Sequence, residues 1–221
     1  MRGRHSLYMT NYSSYPQFFV SVDCVVFGFE DNHLKVLIHK RPYDPGQGEL
    51  SLIGGFVERN ENLETAALRI LAEFTGLDDV YMKQIAAFGE VERDPGERVI
   101  SIVYGVLLDI RRFDEQIASE HNAEWVEIDK LPQLCFDHNE MVSRARQMLI
   151  EDIKNTPVAG RLLPRYFTIT NLQTLYEAII GQEIDKRNFR RSLSDKPYIH
   201  VTNLIDKMSS RRGAKLYEFD L

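Results

Sequence analysis

The chain has 221 residues, 43% hydrophobic and 27% charged, a length and balance that fit one large and one small globular domain and exclude wholesale disorder. Its formal charge of -6 hides an asymmetry: residues 1–154 hold 16 Lys and Arg against 26 Asp and Glu, whereas residues 155–221 hold 11 against 7. The first part stands at -10 and the second at +4, so the net acidity does not exclude a nucleic-acid partner for the C-terminal part.

Residues 1–17 carry two arginines but no apolar h-region and no small-residue cleavage pattern, and they read as an N-terminal extension of a cytoplasmic protein. Phe18 to Phe29 and Leu34 to His39 are rich in β-branched and aromatic residues and flank the turn-like Glu30-Asp31-Asn32, which predicts a β-hairpin. Asp23 interrupts the longest apolar run, which falls well short of the roughly 20 residues needed to cross a bilayer, so no membrane contact is expected. Pro42 to Gly48 is a loop, and the paired glycines of Leu52 to Val57 read as the start of a loop-helix unit. Apolar residues at 63, 67, 70, 71 and 74 then form a helical stripe that ends at Gly76, a natural C-cap.

Val80 to Val91, Arg98 to Leu108 and Ala123 to Ile128 read as strands, with Asp94-Pro95-Gly96 as a turn, and Glu140 to Lys154 reads as a helix. Cys24 and Cys135 both lie in apolar segments, with neither a disulfide framework nor zinc-ligand spacing, so no metal is expected. The Pro- and Gly-bearing segment 155–160 is the expected linker between domains 18–154 and 161–221.

In the C-terminal part, Thr170 and Gln173 read as a capping box for a helix that ends at Gly181. A second helix starts at the N-cap Asp185, with Phe189 and Leu193 one turn apart on its core face. At about 100° per residue, Arg187 and Arg191 lie opposite that core, flanked by Asn188, Arg190 and Ser194, and Lys186 at the start of the helix is a further candidate DNA contact. Two strand-like stretches follow around a basic tip with Ser210, Arg211 and Arg212, and Lys215 stands just behind it. Helix, turn, basic helix and basic hairpin in that order predict a winged helix-turn-helix, with the second helix reading base edges and the wing touching phosphates of double-stranded operator DNA.

The stretch from Gly54 to Leu77 resembles the Nudix box, G-x5-E-x7-R-E-U-x-E-E-x-G-U, through Gly55, Glu61, Arg69, Leu71, Glu73, Gly76 and Leu77. Two of its acidic positions are Ile70 and Phe74 here. In an active box the three helical carboxylates share one face and hold divalent metal beside a pyrophosphate. Glu73, aided at most by Glu58 or Glu61, is a poor site for such a cation, so catalysis and a cofactor are not expected, and Glu61, Arg69 and Glu73 are expected to brace the loop against the helix. Asp94, Pro95, Arg98, Val99 and Ser101, then Phe136, Asp137 and His138, are similar to segments of Nudix-like regulators and ADP-ribose hydrolases.

The chain as a whole resembles the Nudix-related transcriptional regulators. That resemblance implies an α/β Nudix-like sandwich followed by a small α+β winged helix-turn-helix domain, working as a homodimeric repressor that an effector releases from DNA. The degenerate box, the FDHNEM segment and DKRNFRRSL look most like the branch responsive to L-arabinose, which implies a pentose effector and control of sugar catabolism. An ADP-ribose-responsive regulator of NAD metabolism and a Nudix hydrolase of ADP-ribose-like substrates remain as alternatives. Asp23, Lys40, Arg41, Glu92 and Arg98 are the candidate effector contacts.

Overall fold

The computed structural model describes residues 12–77, 79–113, 119–207 and 213–220. Ser210, Arg211 and Arg212, named above for the wing tip, and residues 1–11 of the N-terminal extension lie outside the described residues.

The spine of the N-terminal domain is β1 (Phe19–Glu30), whose alternating side chains serve both faces of the sheet. Its first half pairs antiparallel with β3 (Leu50–Phe56) and its second half with β2 (His33–Lys40). The β1–β2 turn falls at Asp31 and Asn32, both in the left-handed region at φ 51° and 66°, which suits a tight hairpin. Along its other edge β1 runs parallel to β5 (Val99–Leu107), from Phe19 beside Val99 to Phe27 beside Leu107. With β4 (Tyr81–Phe88) and β6 (Ala123–Glu127) at the edges, the mixed sheet has the order β4-β5-β1-β3-β2-β6.

Helix α1 (Leu63–Thr75) covers one face, where Ala66, Ala67, Ile70, Leu71 and Phe74 pack on Val22, Cys24, Val26, Leu37 and Ile53. Asn62 caps its first turn by accepting from Thr65 N at 2.9 Å, and Gly76 ends it at φ 70° with its N–H on Ala72 O. Helix α2 (His138–Asn155) covers the opposite face with Met141, Val142, Ala145, Leu149 and Ile153.

The C-terminal domain packs into that second core. Helix α3 (Ile169–Ile180) adds Leu172, Leu175, Tyr176 and Ile179 to the cluster of Val25, Phe27, Leu34, Val36 and Ile38. Helix α4 (Lys186–Leu193) adds Phe189 and Leu193, and the hairpin of β7 (Ile199–Asp206) and β8 (Ala214–Phe219) follows.

Four features depart from the sequence expectations. Gly54 and Gly55 lie inside the central strand β3, not in a loop. A Cβ at Gly54 would stand 2.1 Å from Asp23 Oδ1, and one at Gly55 would stand 2.9 Å from Ile70 Cδ1, so close approach and not turn geometry requires the glycines. Helix α2 begins two residues early, at His138; Asp137 at its N-cap position makes no side-chain cap, and Asn139 in the first turn accepts from Leu134 N and donates to Pro132 O instead. The capping box of α3 is Thr168 with Asn171, not Thr170 with Gln173: Asn171 N donates to Thr168 Oγ1 at 3.1 Å and Thr168 N to Asn171 Oδ1 at 3.0 Å. Gln173 is buried instead and donates to Glu177 Oε1 and Ile184 O. Finally, segment 155–160 is no exposed tether, since Pro157–Leu162 forms a 3-10 turn that buries Val158, Ala159 and Leu162.

Candidate effector cavity and nucleic-acid interface

The pairing of β1 with β3 sets Asp23 opposite Gly54, and the missing Cβ there makes room for the carboxylate. Asp23 is only 7% exposed; it accepts from the Ser101 hydroxyl on β5, and the His138 ring faces its other oxygen at 3.8 Å. His138 Nδ1 accepts from Leu52 N at 3.1 Å, so its proton sits on Nε2 toward Asp23. Burial, opposed by the charge of Asp23, lowers the pKa of His138 and keeps the ring neutral.

Around Asp23 is a cavity of about 50 Å³, lined also by Ser21, Arg41, Tyr43, Phe56, Arg93 and Phe136. The Arg41 guanidinium lies 5.3 Å from the Tyr43 ring centroid and 5.0 Å from that of Phe136, and donates to Pro45 O at 2.9 Å. Arg93 forms a fork on Asp137, at 2.8 Å and 2.7 Å, with only 3% of its side chain exposed. Burial opposes its charge, but the hydrogen bonds and charge of Asp137 outweigh that and raise its pKa.

Of the five effector candidates, Asp23 and Arg41 line this cavity. Glu92 is exposed and lines a neighbouring groove of about 680 Å³, formed by Ala86 to Arg93 with Asp137, Glu140 and Arg144. Lys40 is exposed at the end of β2, and Arg98 donates to Gly89 O and Glu90 O beneath Phe18, so neither lines the cavity. Arg93, which lines both spaces, went unmarked in the sequence; its only local signal is its place before the Asp94-Pro95-Gly96 turn.

The Nudix-box helix presents no carboxylate cluster. Ile70 is 2% exposed and Phe74 8%, and the Phe74 ring packs edge-on against His39. Arg69 donates to both oxygens of Glu61 at 3.0 Å and 2.6 Å and to Phe56 O at 3.1 Å, and Glu61 accepts from Glu58 N. These bonds brace the loop and hold the Glu61 carboxyl below its ordinary pKa. Glu73 is not among these hydrogen bonds; it stands one turn further along the exposed side of α1 and adds only its charge to the surroundings of Arg69. Among the described residues no group of three or more His, Cys, Asp or Glu is placed to hold a metal ion, and no helix is long and apolar enough to cross a membrane.

In the C-terminal domain, Asp185 caps α4 by accepting from Asn188 N at 2.8 Å, while Phe189 packs its ring edge-on against Tyr176 at 5.2 Å. That packing leaves Lys186, Arg187, Asn188, Arg190, Arg191 and Ser194 exposed. An α-helix with its side chains is about 10–12 Å across, which a major groove about 12 Å wide admits. Between α4, the start of α3 and the hairpin is a cleft of about 860 Å³, to which Arg190, Ser194, Lys196 and Lys215 contribute.

Residues 17–149 match the NUDIX domain model, and residues 159–219 match the model described as the NrtR DNA-binding winged helix domain. An ADPR responsive transcriptional repressor, NtrR of Acinetobacter baylyi, is 32% identical over 213 residues, covering 95% of this chain and 85% of the relative. An ADP-ribose pyrophosphatase of Methanocaldococcus jannaschii is 35% identical over 124 residues, 56% of this chain and 70% of its own length. Shewanella oneidensis NrtR in complex with a 27mer DNA superposes with a TM-score of 0.81 at 31% identity, covering 91% of this chain and 93% of the other. The NUDIX domain of that same NrtR, crystallised with ADP ribose, matches with a TM-score of 0.56 at 31% identity over 63% of this chain and 94% of its own. The chain belongs to the NrtR-like family of Nudix-related transcriptional regulators, with a Nudix α/β domain followed by a winged helix.

Proposed function

We propose that the protein is a homodimeric, operator-binding repressor that an ADP-ribose-type ligand releases from DNA, and that it hydrolyses nothing. The observation that carries the ligand class is the convergence of two guanidinium groups, Arg41 and Arg93, on one small cavity of the Nudix domain. A pyrophosphate uses two such forks; a neutral pentose uses none. The L-arabinose reading of the sequence, with its link to sugar catabolism, rests on short motif likeness alone and gives way to the ADP-ribose alternative. Relatives described as ADPR responsive and as crystallised with ADP ribose support the same choice. The hydrolase alternative is disfavoured by the burial of Ile70 and Phe74 where metal-binding carboxylates would stand.

For DNA, Arg187 and Arg191 are the side chains best placed for guanine edges, with Lys186, Asn188, Arg190 and Ser194 beside them; Ser210, Arg211, Arg212 and Lys215 of the wing meet phosphates. The test has two arms. Calorimetry should show saturable binding of ADP-ribose and none of L-arabinose; the reverse overturns the ligand assignment. Titration of a duplex selected from a random pool should show Arg187→Ala and Arg191→Ala losing about 1–3 kcal/mol of discrimination each. Arg212→Ala should weaken all sequences alike and lower the salt slope by roughly one unit. Unchanged affinity in all three variants overturns the DNA interface.

A further inference from the structure

Arg93 stands in the wall between two spaces, the cavity of about 50 Å³ at Asp23 and the open groove of about 680 Å³ along the end of β4. The cavity alone is far below the roughly 300–1,000 Å³ of a site for a ligand of nucleotide size, whereas the groove lies within that range, so a ligand of that size has room in the groove and would reach Asp23 only past Arg93. Arg93 lines both spaces, and Asp137, which its fork holds, lines the groove. Asp137 occupies the N-cap position of α2 yet caps nothing, because its carboxylate is committed to Arg93. Just before it, Phe136 is held in the left-handed region at φ 55°, a strained backbone for a bulky residue. Its ring packs against both Arg41 and His138.

The same helix grips the winged helix further along. Arg146 donates to Ile179 O at 2.9 Å and Ala178 O at 3.2 Å, the last carbonyls of α3, while Asp129 balances its charge at 3.2 Å. Tyr176 of α3 donates to Ile153 O at 2.7 Å, and Lys196 donates to Lys154 O. The first turn of α2 thus meets the effector cavity, and the rest of it meets the DNA-reading domain.

We propose that the Arg93–Asp137 ion pair is an exchangeable latch: a diphosphate entering at Asp23 takes the Arg93 fork from Asp137, and the freed first turn of α2 moves the winged helix through Arg146. Phosphate oxygens match a guanidinium fork as a carboxylate does, so the exchange leaves no buried cation unpaired, and a neutral ligand cannot drive it. The released turn can relax at Phe136, while His138 on Leu52 and Asn139 on Leu134 N and Pro132 O keep the helix attached. This rests on the ADP-ribose reading above.

The test uses the full chain, with ADP-ribose as the probe and a selected operator duplex. Asp137→Asn removes the competing charge, so it should bind ADP-ribose about 5-fold or more tighter and bind operator more weakly without ligand. Unchanged or weaker ADP-ribose binding in a folded Asp137→Asn, checked by circular dichroism, overturns the latch. Should that variant fail to fold, hydrogen exchange on the wild type decides: amides of residues 139–142 should exchange faster with saturating ADP-ribose, and unchanged or slower exchange overturns it. Arg146→Gln should bind ADP-ribose as the wild type does while losing ligand-induced operator release, and normal release overturns the transmission through Arg146. A wild type that binds operator but no ADP-ribose overturns the ligand reading itself, and the latch with it.

Discussion

Placing a carboxylate back on the Nudix-box helix, as Ile70→Glu, should wreck the domain before it restores any metal site. Ile70 is 2% exposed, buried with Ala66, Ala67 and Leu71 against Val22, Cys24 and Ile53, and its methyl end fills the space left by Gly55. Withdrawing an isoleucine from such surroundings costs about 1.5–3 kcal/mol. A carboxyl buried there without a hydrogen-bond partner costs about 1–3 kcal/mol more. The sum, about 2.5–6 kcal/mol, is a large part of the ~5–15 kcal/mol that holds a protein folded. The loss should also depend on pH. The buried carboxyl stays protonated in the folded state, whereas the unfolded chain ionises it above about 4.3, so the unfolded state binds fewer protons. Relative to wild type, stability should fall by about 1.4 kcal/mol per pH unit from there up to the raised folded-state pKa. Urea unfolding followed by circular dichroism at pH 5 and pH 7.5 measures both effects. A wild-type midpoint at both pH values, or Mn²⁺-dependent hydrolysis of ADP-ribose by the variant, would refute the reading of this face as core.

Gly54→Ala should overpack the β1–β3 contact by about 1–3 kcal/mol, because its Cβ meets Asp23 Oδ1 at 2.1 Å and Val22 O at 2.9 Å. A lower melting temperature is expected, with Gly89→Ala, which meets nothing within 4 Å, as a neutral control; equal melts for the two would refute the close-approach account. Acid should destabilise the protein through His39, whose pKa is lowered to about 4, first by burial and then by the charges of Arg41, His138 and His121. It is neutral when folded but takes a proton below about 6.5 when unfolded, so stability is full above that pH and falls by up to about 3 kcal/mol on the way to pH 4. His39→Gln should flatten that slope in urea titrations at pH 4.5 and 7, and an unchanged slope would exclude His39 as its source.

Local signals carried much of the fold. The β1–β2 hairpin, α1 with its Gly76 cap, and α4 with Asp185 and its Phe189–Leu193 face all depend on neighbours within a few positions, and all three are legible in the chain. The Gly54-Gly55 pair misled because glycine signals a turn from sequence alone, while the reason for it here is a carboxylate on another strand, at Asp23. The capping box slipped by two residues because Thr168 and Thr170 offer the same hydroxyl, and only the burial of Gln173 separates the two frames. The ligand class was the least legible part. Arg41, Arg93 and Asp137 are scattered along the chain, each an ordinary charge on its own, and only the sheet brings the two arginines to one cavity.

The way the two domains pack decides what kind of release is physically open to this protein. Tyr176 and Phe189 share a core with Val25 and Phe27 of the sheet, so the DNA-reading helix does not hang on a flexible tether whose freedom an effector could change. Control must instead come from a small rigid shift, and packed cores respond to such shifts by switching between arrangements more readily than by bending. Helix α2, about 27 Å long at 1.5 Å per residue, is the piece that can carry one. In the proposed dimer two α4 helices must meet half-sites about 34–36 Å apart. Bidentate contacts from Arg187 and Arg191 tolerate little error, since a hydrogen bond weakens outside about 2.7–3.2 Å. A displacement of only about 1–2 Å at each winged helix, the usual scale of helix shifts at an interface, therefore suffices to spoil both half-sites at once. Operators with one base pair inserted between half-sites should then bind the ADP-ribose-free protein poorly, while isolated half-sites should lose their sensitivity to ADP-ribose. Ligand-sensitive binding to a single half-site would show that the effector acts within the recognition helix and not on the spacing of the pair.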